Sequence, residues 1–141
     1  MNRLAIQFLD EGFHRVLFDA MPMPVFVVDA DVSILEYNVA AAKLLGSEKQ
    51  TVIRRRGGEV LRCLHAAEVP EGCGRSPACS DCVVRKSVQA ASSGERVTRQ
   101  LAKMKLVAGR KTTRVNLRVS CQPFTYQQRR FILLILEGLN D

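Results

Sequence analysis

The spacing of apolar residues along the chain changes period twice. From residue 3 to residue 21, Ile6, Leu9, Phe13, Val16 and Ala20 recur at steps of three and four, which predicts an amphipathic helix ended by Pro22 and Pro24. Such a helix of about five turns is marginal alone and must dock on something, either a second copy of itself as a short coiled coil or its own sheet. Residues 24–29 (Pro-Val-Phe-Val-Val-Asp) and 32–37 then read as two strands joined by a turn at Asp29-Ala30-Asp31. Asn38 is placed to cap a short helix over 39–45, with Gly46 to end it. Residues 47–58 are polar and basic, a loop or short irregular helix, and 58–64 forms a further helical turn. Ser80 or Asp81 can cap a helix from about Cys82 to Ser92, ended by Gly94.

The last third switches to period two. Ala102, Met104 and Leu106 alternate with charged neighbours, and after a turn at 108–111 so do Val115, Leu117, Val119 and Cys121. Residues 131–136 are apolar at every position, as expected of a strand covered on both faces. These elements predict an α+β domain closing in a three-strand antiparallel meander.

The first hairpin carries a resemblance. Met21-Pro22-Met23-Pro24-Val25-Phe26-Val27-Val28-Asp29, followed by Ile34-Leu35-Glu36-Tyr37-Asn38 and the helix ending at Gly46, is similar to the opening of the PAS domain. The later half matches in pattern, so the resemblance spans about residues 15–138. It implies a five-stranded antiparallel sheet with helices on one face, used for sensing or association rather than catalysis. The division it implies is an N-terminal amphipathic helix over 1–21, for dimerisation or for capping the sheet, and a PAS domain over 22–141 with a cysteine loop at 58–82. The stretch Gly58 to Ala66, followed by Gly72-Cys73-Gly74, Cys79 and Cys82, also resembles a cysteine-bearing variant of bacterial sensor proteins.

That loop holds four of the five cysteines: Cys63, Cys73, Cys79 and Cys82, spaced C-x9-C-x5-C-x2-C among glycines and prolines. Concentrated thiols in a glycine-hinged loop point to a metal centre rather than to scattered core cysteines. An iron-sulfur cluster on the four cysteines is the favoured reading, since zinc ribbons usually carry two C-x2-C knuckles and one is present here. Iron-sulfur sensing within other cysteine-containing PAS domains points the same way. Structural zinc on the four cysteines, or on three with His65, is the alternative. Disulfides or a metal-free thiol switch come third. A thiolate at Cys82 would gain from the helix start it occupies. His65 reads as a hydrogen-bonding neighbour before it reads as a ligand, His14 as a surface or packing residue, and Cys121 as core.

Composition narrows the function without fixing it. The chain has 141 residues, 47% of them hydrophobic, enough for one domain with a core. It lacks an apolar run of membrane-spanning length and a secretory leader, which places it in the cytoplasm. The net charge of +7 is densest at Arg54-Arg55-Arg56 and Arg129-Arg130. This reads as a solvated surface, with nucleic acid disfavoured because no helix-turn-helix or aromatic-basic pattern accompanies it. No paired carboxylates, phosphate loop, nucleophile elbow or C-x-x-C-H haem motif is present, so an enzyme is not expected. The sequence thus predicts a homodimeric PAS sensor that reports redox state or oxygen through its metal centre. Its signal passes to a partner protein or to an output domain of a longer chain. An interaction module stapled by zinc or disulfides, or a PAS receptor for a small ligand, is the alternative.

Overall fold

The structure is a computed structural model that describes residues 11–46 and 49–138. Five antiparallel strands form one sheet in the order β2-β1-β5-β4-β3, with β1 Val25–Val28, β2 Ile34–Tyr37, β3 Val97–Ala108, β4 Lys111–Tyr126 and β5 Arg129–Glu137. The expected fold class is the observed one. Helices α1 (Glu11–Ala20), α2 (Val39–Leu45), α3 (Lys49–Val52), α4 (Gly57–Val60), α5 (Leu64–Ala67) and α6 (Val83–Ser92) complete it, with a 3-10 turn at Pro77–Asp81.

Side-chain chemistry explains the junctions. The buried Asn38 accepts hydrogen bonds through Oδ1 from the amides of Ala41 (3.0 Å) and Val25 (3.0 Å), so one residue caps α2 and anchors β1. Its Nδ2 donates to the carbonyls of Phe18 and Met23, which ties the end of α1 to the same point. Gly46 closes α2 at φ 62°, in the left-handed region. The predicted turn at 29–31 forms because Asp29 Oδ1 accepts from the amides of Asp31 and Ser33.

The core lies between α6 and the inner sheet face. Val84, Val88 and Ala91 meet Val115, Leu117, Val119, Cys121, Ile132, Leu134 and Leu136. The alternation expected for β4 is the one observed. Strand β5 departs from expectation: Ile132, Leu134 and Leu136 are buried, whereas Phe131, Leu133 and Ile135 are only half-buried. The strand is central in the sheet but covered fully on one face. In α1, Val16 is 67% exposed, so the predicted stripe is not docked on the sheet at that point. Ile6 and Leu9 of the same stripe lie outside the described residues. Among the described residues no helix is long and apolar enough to cross a membrane.

Candidate functional site

The cysteine loop folds as a chain of single turns. Cys63 is the N-cap of α5 and Cys82 that of α6, in each case without a side-chain cap bond. Helix α6 therefore begins at Cys82 rather than behind a Ser80 or Asp81 cap. Ser76 caps the 3-10 turn instead, by accepting from the Ala78 amide. Gly72 (φ 88°) and Gly74 (φ 85°) bracket Cys73 in backbone conformations that disfavour any Cβ. A Cβ on Gly72 would also strike Glu59, and one on Gly74 would strike the Arg85 guanidinium.

All four cysteines line a common cavity of about 40 Å³ between the loop, α6 and the inner sheet face. Phe26, Ile34, Leu61, Met104, Leu134 and Leu136 supply most of the apolar wall. By the size of a water site, that volume holds about three small groups. Val32, fully buried in the wall, has φ 62°, a costly conformation for a β-branched residue.

The thiols surround this space without meeting at a point, and the metal expectation is corrected accordingly. Among the described residues no group of three or more His, Cys, Asp or Glu side chains could hold a metal ion. All five cysteines are free, so disulfides do not staple the loop. The physical reason is that each cysteine is fixed by a different turn. Gly58 packs against two of them, since a Cβ there would lie 2.9 Å from Cys73 Sγ and 3.3 Å from Cys63 Cβ, so only glycine leaves room for both side chains. His65 Nδ1 is engaged by Glu68 Oε1 at 2.8 Å. Neither an iron-sulfur cluster nor zinc fits this arrangement, and redox sensing through such a centre falls with them.

Cys63 and Cys82 are also held towards the neutral thiol by their apolar surroundings. Burial pushes Cys63 up, and the amides of His65 and Ala66 only partly offset it. Burial raises Cys82 too, outweighing the amides of Arg85 and Val84 at the helix start. The thiolate expected there is disfavoured by desolvation. Cys121, buried in β4 as expected, is pushed up to about 12 by burial.

A polar network that the cysteine spacing did not announce braces one side of the cavity. Asp31 accepts two hydrogen bonds from Arg75 (3.0 and 2.9 Å) and one from Arg85 Nη1 (2.8 Å), while Arg56 stands 3.7 Å away. Burial works to raise the Asp31 carboxyl, but the bonds from Arg75 and Arg85 prevail and hold it below its usual range. Arg85 Nη2 donates to the carbonyls of Asp31 and Cys73 and lies 3.6 Å from Cys73 Sγ. Its Nε is a buried donor without a hydrogen-bond partner among the described residues. The signal for this network was a charged residue on an apolar helix face, because Arg85 lies one turn before Val88 and is buried with it. The loop is tied to the sheet by a bridge between Cys63 and Leu106 and by the Val107 amide donating to the Arg62 carbonyl at 2.8 Å.

Known proteins resemble the chain in fold. A family model described as PAS domain matches residues 12–77. No curated protein matches the chain. Among solved structures, the PAS domain of an HTR-like protein from Haloarcula marismortui is 22% identical, with a TM-score of 0.56 over 96% of this chain and 98% of that one. The PAS domain of nitrogen regulation protein NR(II) from Vibrio parahaemolyticus is 17% identical, with a TM-score of 0.59 over 89% of this chain and 96% of that one. An RNA-binding light-oxygen-voltage receptor reaches a TM-score of 0.63 at 14% identity, over 98% of this chain and 35% of its own. The chain therefore carries a PAS-domain fold.

Proposed function

We propose that this domain is a receptor for a small, mostly apolar molecule held in the cavity behind the cysteine loop. The observation that carries this reading is the cavity itself: a partly open apolar space between a turn-built loop and the inner sheet face, with one buried donor, Arg85 Nε, on a lining residue. Cys63, Cys73, Cys79 and Cys82 act as its polarisable lining, not as ligands to an ion. A molecule with one hydrogen-bond acceptor would satisfy Arg85 and bury its apolar part against Leu134 and Leu136. Filling the cavity would press on the loop. The Cys63–Leu106 bridge then offers a route to β3 and the sheet. The output goes to a signalling partner or to a domain of a longer chain, in the cytoplasm. Residues 1–21 act as a helical extension that pairs two copies, with the domain proper from residue 22. The exposed Val16 and Leu17 of α1 support that pairing.

Xenon tests the cavity, because a dry apolar space takes it up without any polar recognition. Methyl resonances of Met104, Leu134 and Leu136 are expected to shift under xenon pressure, and Ala66→Phe, which fills the lining, is expected to abolish the shift. Unmoved methyls in the unsubstituted protein would overturn the receptor reading. For the dimer, Val16→Glu with Leu17→Glu is expected to halve the mass measured by light scattering; an unchanged mass would exclude pairing through α1.

A further inference from the structure

The positive charge of this chain is concentrated in one segment. Residues 96–136 contain ten of the 21 lysines and arginines and no aspartate or glutamate. The antiparallel register places Lys105 opposite Arg114, Lys103 opposite Asn116 and Leu101 opposite Arg118. Because Val115, Leu117 and Val119 point to the core, these basic residues share the outer face, away from α6. Lys105 and Arg114 are like charges directly across a ladder, which costs stability unless an anion lies over them. Among the described residues, none of Lys103, Lys105, Arg114 and Arg118 is in an ion pair. Arg99, on the same face, is paired with Glu137 at 3.3 Å.

Further along the same face the basic residues give way to rings. Phe124 stands opposite Phe131, with centroids 5.6 Å apart and planes tilted by 32°, and Tyr126 stands opposite Arg129. The Arg129 guanidinium lies 5.3 Å from the Phe131 ring centre. Tyr126 is 56% and Phe124 38% exposed. The strip from Arg114 to Phe124 is about 34 Å long at the rise of an extended strand.

We propose that this outer face of β3, β4 and β5 binds single-stranded nucleic acid, with phosphates along the Lys103, Lys105, Arg114 and Arg118 end and bases stacked on Phe124 and Tyr126. An acidic protein would answer the charge but leave the rings without a purpose. An anionic membrane would favour apolar groups projecting from loop tips, whereas the β3–β4 tip is Gly109-Arg110-Lys111. Unstacked bases answer both features, because every base offers a ring face and every nucleotide a charge. This inference is independent of the interior cavity.

Fluorescence anisotropy with a labelled twelve-nucleotide oligouridylate tests it, on the whole chain between 50 and 300 mM salt. Four phosphate contacts predict a slope of log affinity against log salt of about −3. Lys103→Gln with Lys105→Gln and Arg114→Gln should flatten that slope to about −1. Phe124→Leu with Tyr126→Leu should lower affinity about tenfold or more while leaving the slope unchanged. Should Phe124→Leu disturb folding, seen as a loss of melting temperature, Tyr126→Leu alone carries the same expectation. Equal affinity for polyglutamate or for a duplex of the same length, indifference to the ring substitutions, preference for phosphatidylserine vesicles, or no binding at 50 mM salt would each overturn it.

Discussion

The cysteine loop and the β3–β5 meander are built on opposite principles. The loop, from Gly57 to Cys82, is a succession of four- and five-residue turns held by polar contacts: Asp31 with Arg75 and Arg85, Glu59 with Arg56 and the Cys73 amide, Glu68 with His65 and Ser76. The meander is a long ladder whose inner residues are buried and whose outer residues are exposed on β3 and β4 and half-buried on β5. A region fixed by a few directional contacts can rearrange by exchanging them, whereas a ladder packed on a helix moves as a unit. The cavity lies where the two meet. A yielding wall and a rigid one are the parts a small-molecule receptor requires.

The largest effect expected on either side is in the rigid one. Leu117, 1% exposed, faces α6 from the middle of β4 and does not line the cavity. Leu117→Ala is expected to cost about 3 kcal/mol through lost burial and the void left behind. It would be read as a lower urea midpoint at unchanged slope. A cost under about 1 kcal/mol would show that the meander repacks freely and would break the contrast.

On the loop side the expected loss is smaller and depends on acid. Asp31→Asn removes the carboxylate that three guanidiniums surround and leaves Arg85 buried beside a neutral amide. Asp31 is about two-fifths exposed, so after solvent screening the cost should be about 1–2 kcal/mol. The folded carboxyl titrates below its unfolded value of about 4. Its contribution is therefore complete above that value and is lost as the pH falls through the folded pKa. The melting temperatures of the Asn variant and the unsubstituted protein should differ at pH 7 and converge towards pH 2. A constant difference across that range would place the stabilisation elsewhere in the network.

The same contrast governs how far the residues could be read before their arrangement was seen. Periodicity identified the two early strands, the meander, and helices α2 and α6, because alternation and capping are local properties of Asn38, Gly46 or the Val115–Cys121 stripe. It overstated β5, since a run of six apolar residues cannot tell a half-covered outer face from a buried one. Cys63, Cys73, Cys79 and Cys82 line one cavity, but the metal centre their spacing suggests is not formed among the described residues. Spacing reports how close thiols can come along the chain, not whether the separate turns that carry them bring three or more to one point. Arg85 and Asp31 are 54 residues apart, and no local pattern links them. The rings and cations of the outer face were likewise hidden, because register alone brings Phe124 to Phe131 and Lys105 to Arg114.

That register yields the smallest and most discriminating expectation. If the meander were optimised for stability alone, Lys105 and Arg114 would not face each other, as like charges in a direct cross-strand pair repel. Lys105→Glu turns repulsion into attraction at an exposed site without touching the core. It is expected to stabilise the domain by about 0.5 kcal/mol, which is about 1–2 °C in melting temperature at this chain length. The gain should shrink as salt rises towards 1 M, where screening reaches about 3 Å. A charge substitution on the loop, such as Glu68→Gln, should behave oppositely, because Glu68 is hydrogen-bonded to His65 and Ser76 and its removal can only weaken the turn. A stabilising loop variant together with a destabilising Lys105→Glu would mean that the outer face is already balanced by its own charges. A gain at Lys105 would mean that this face gives up stability to keep a positive surface, which is expected of a surface retained for an anionic partner and not of one that is merely solvated.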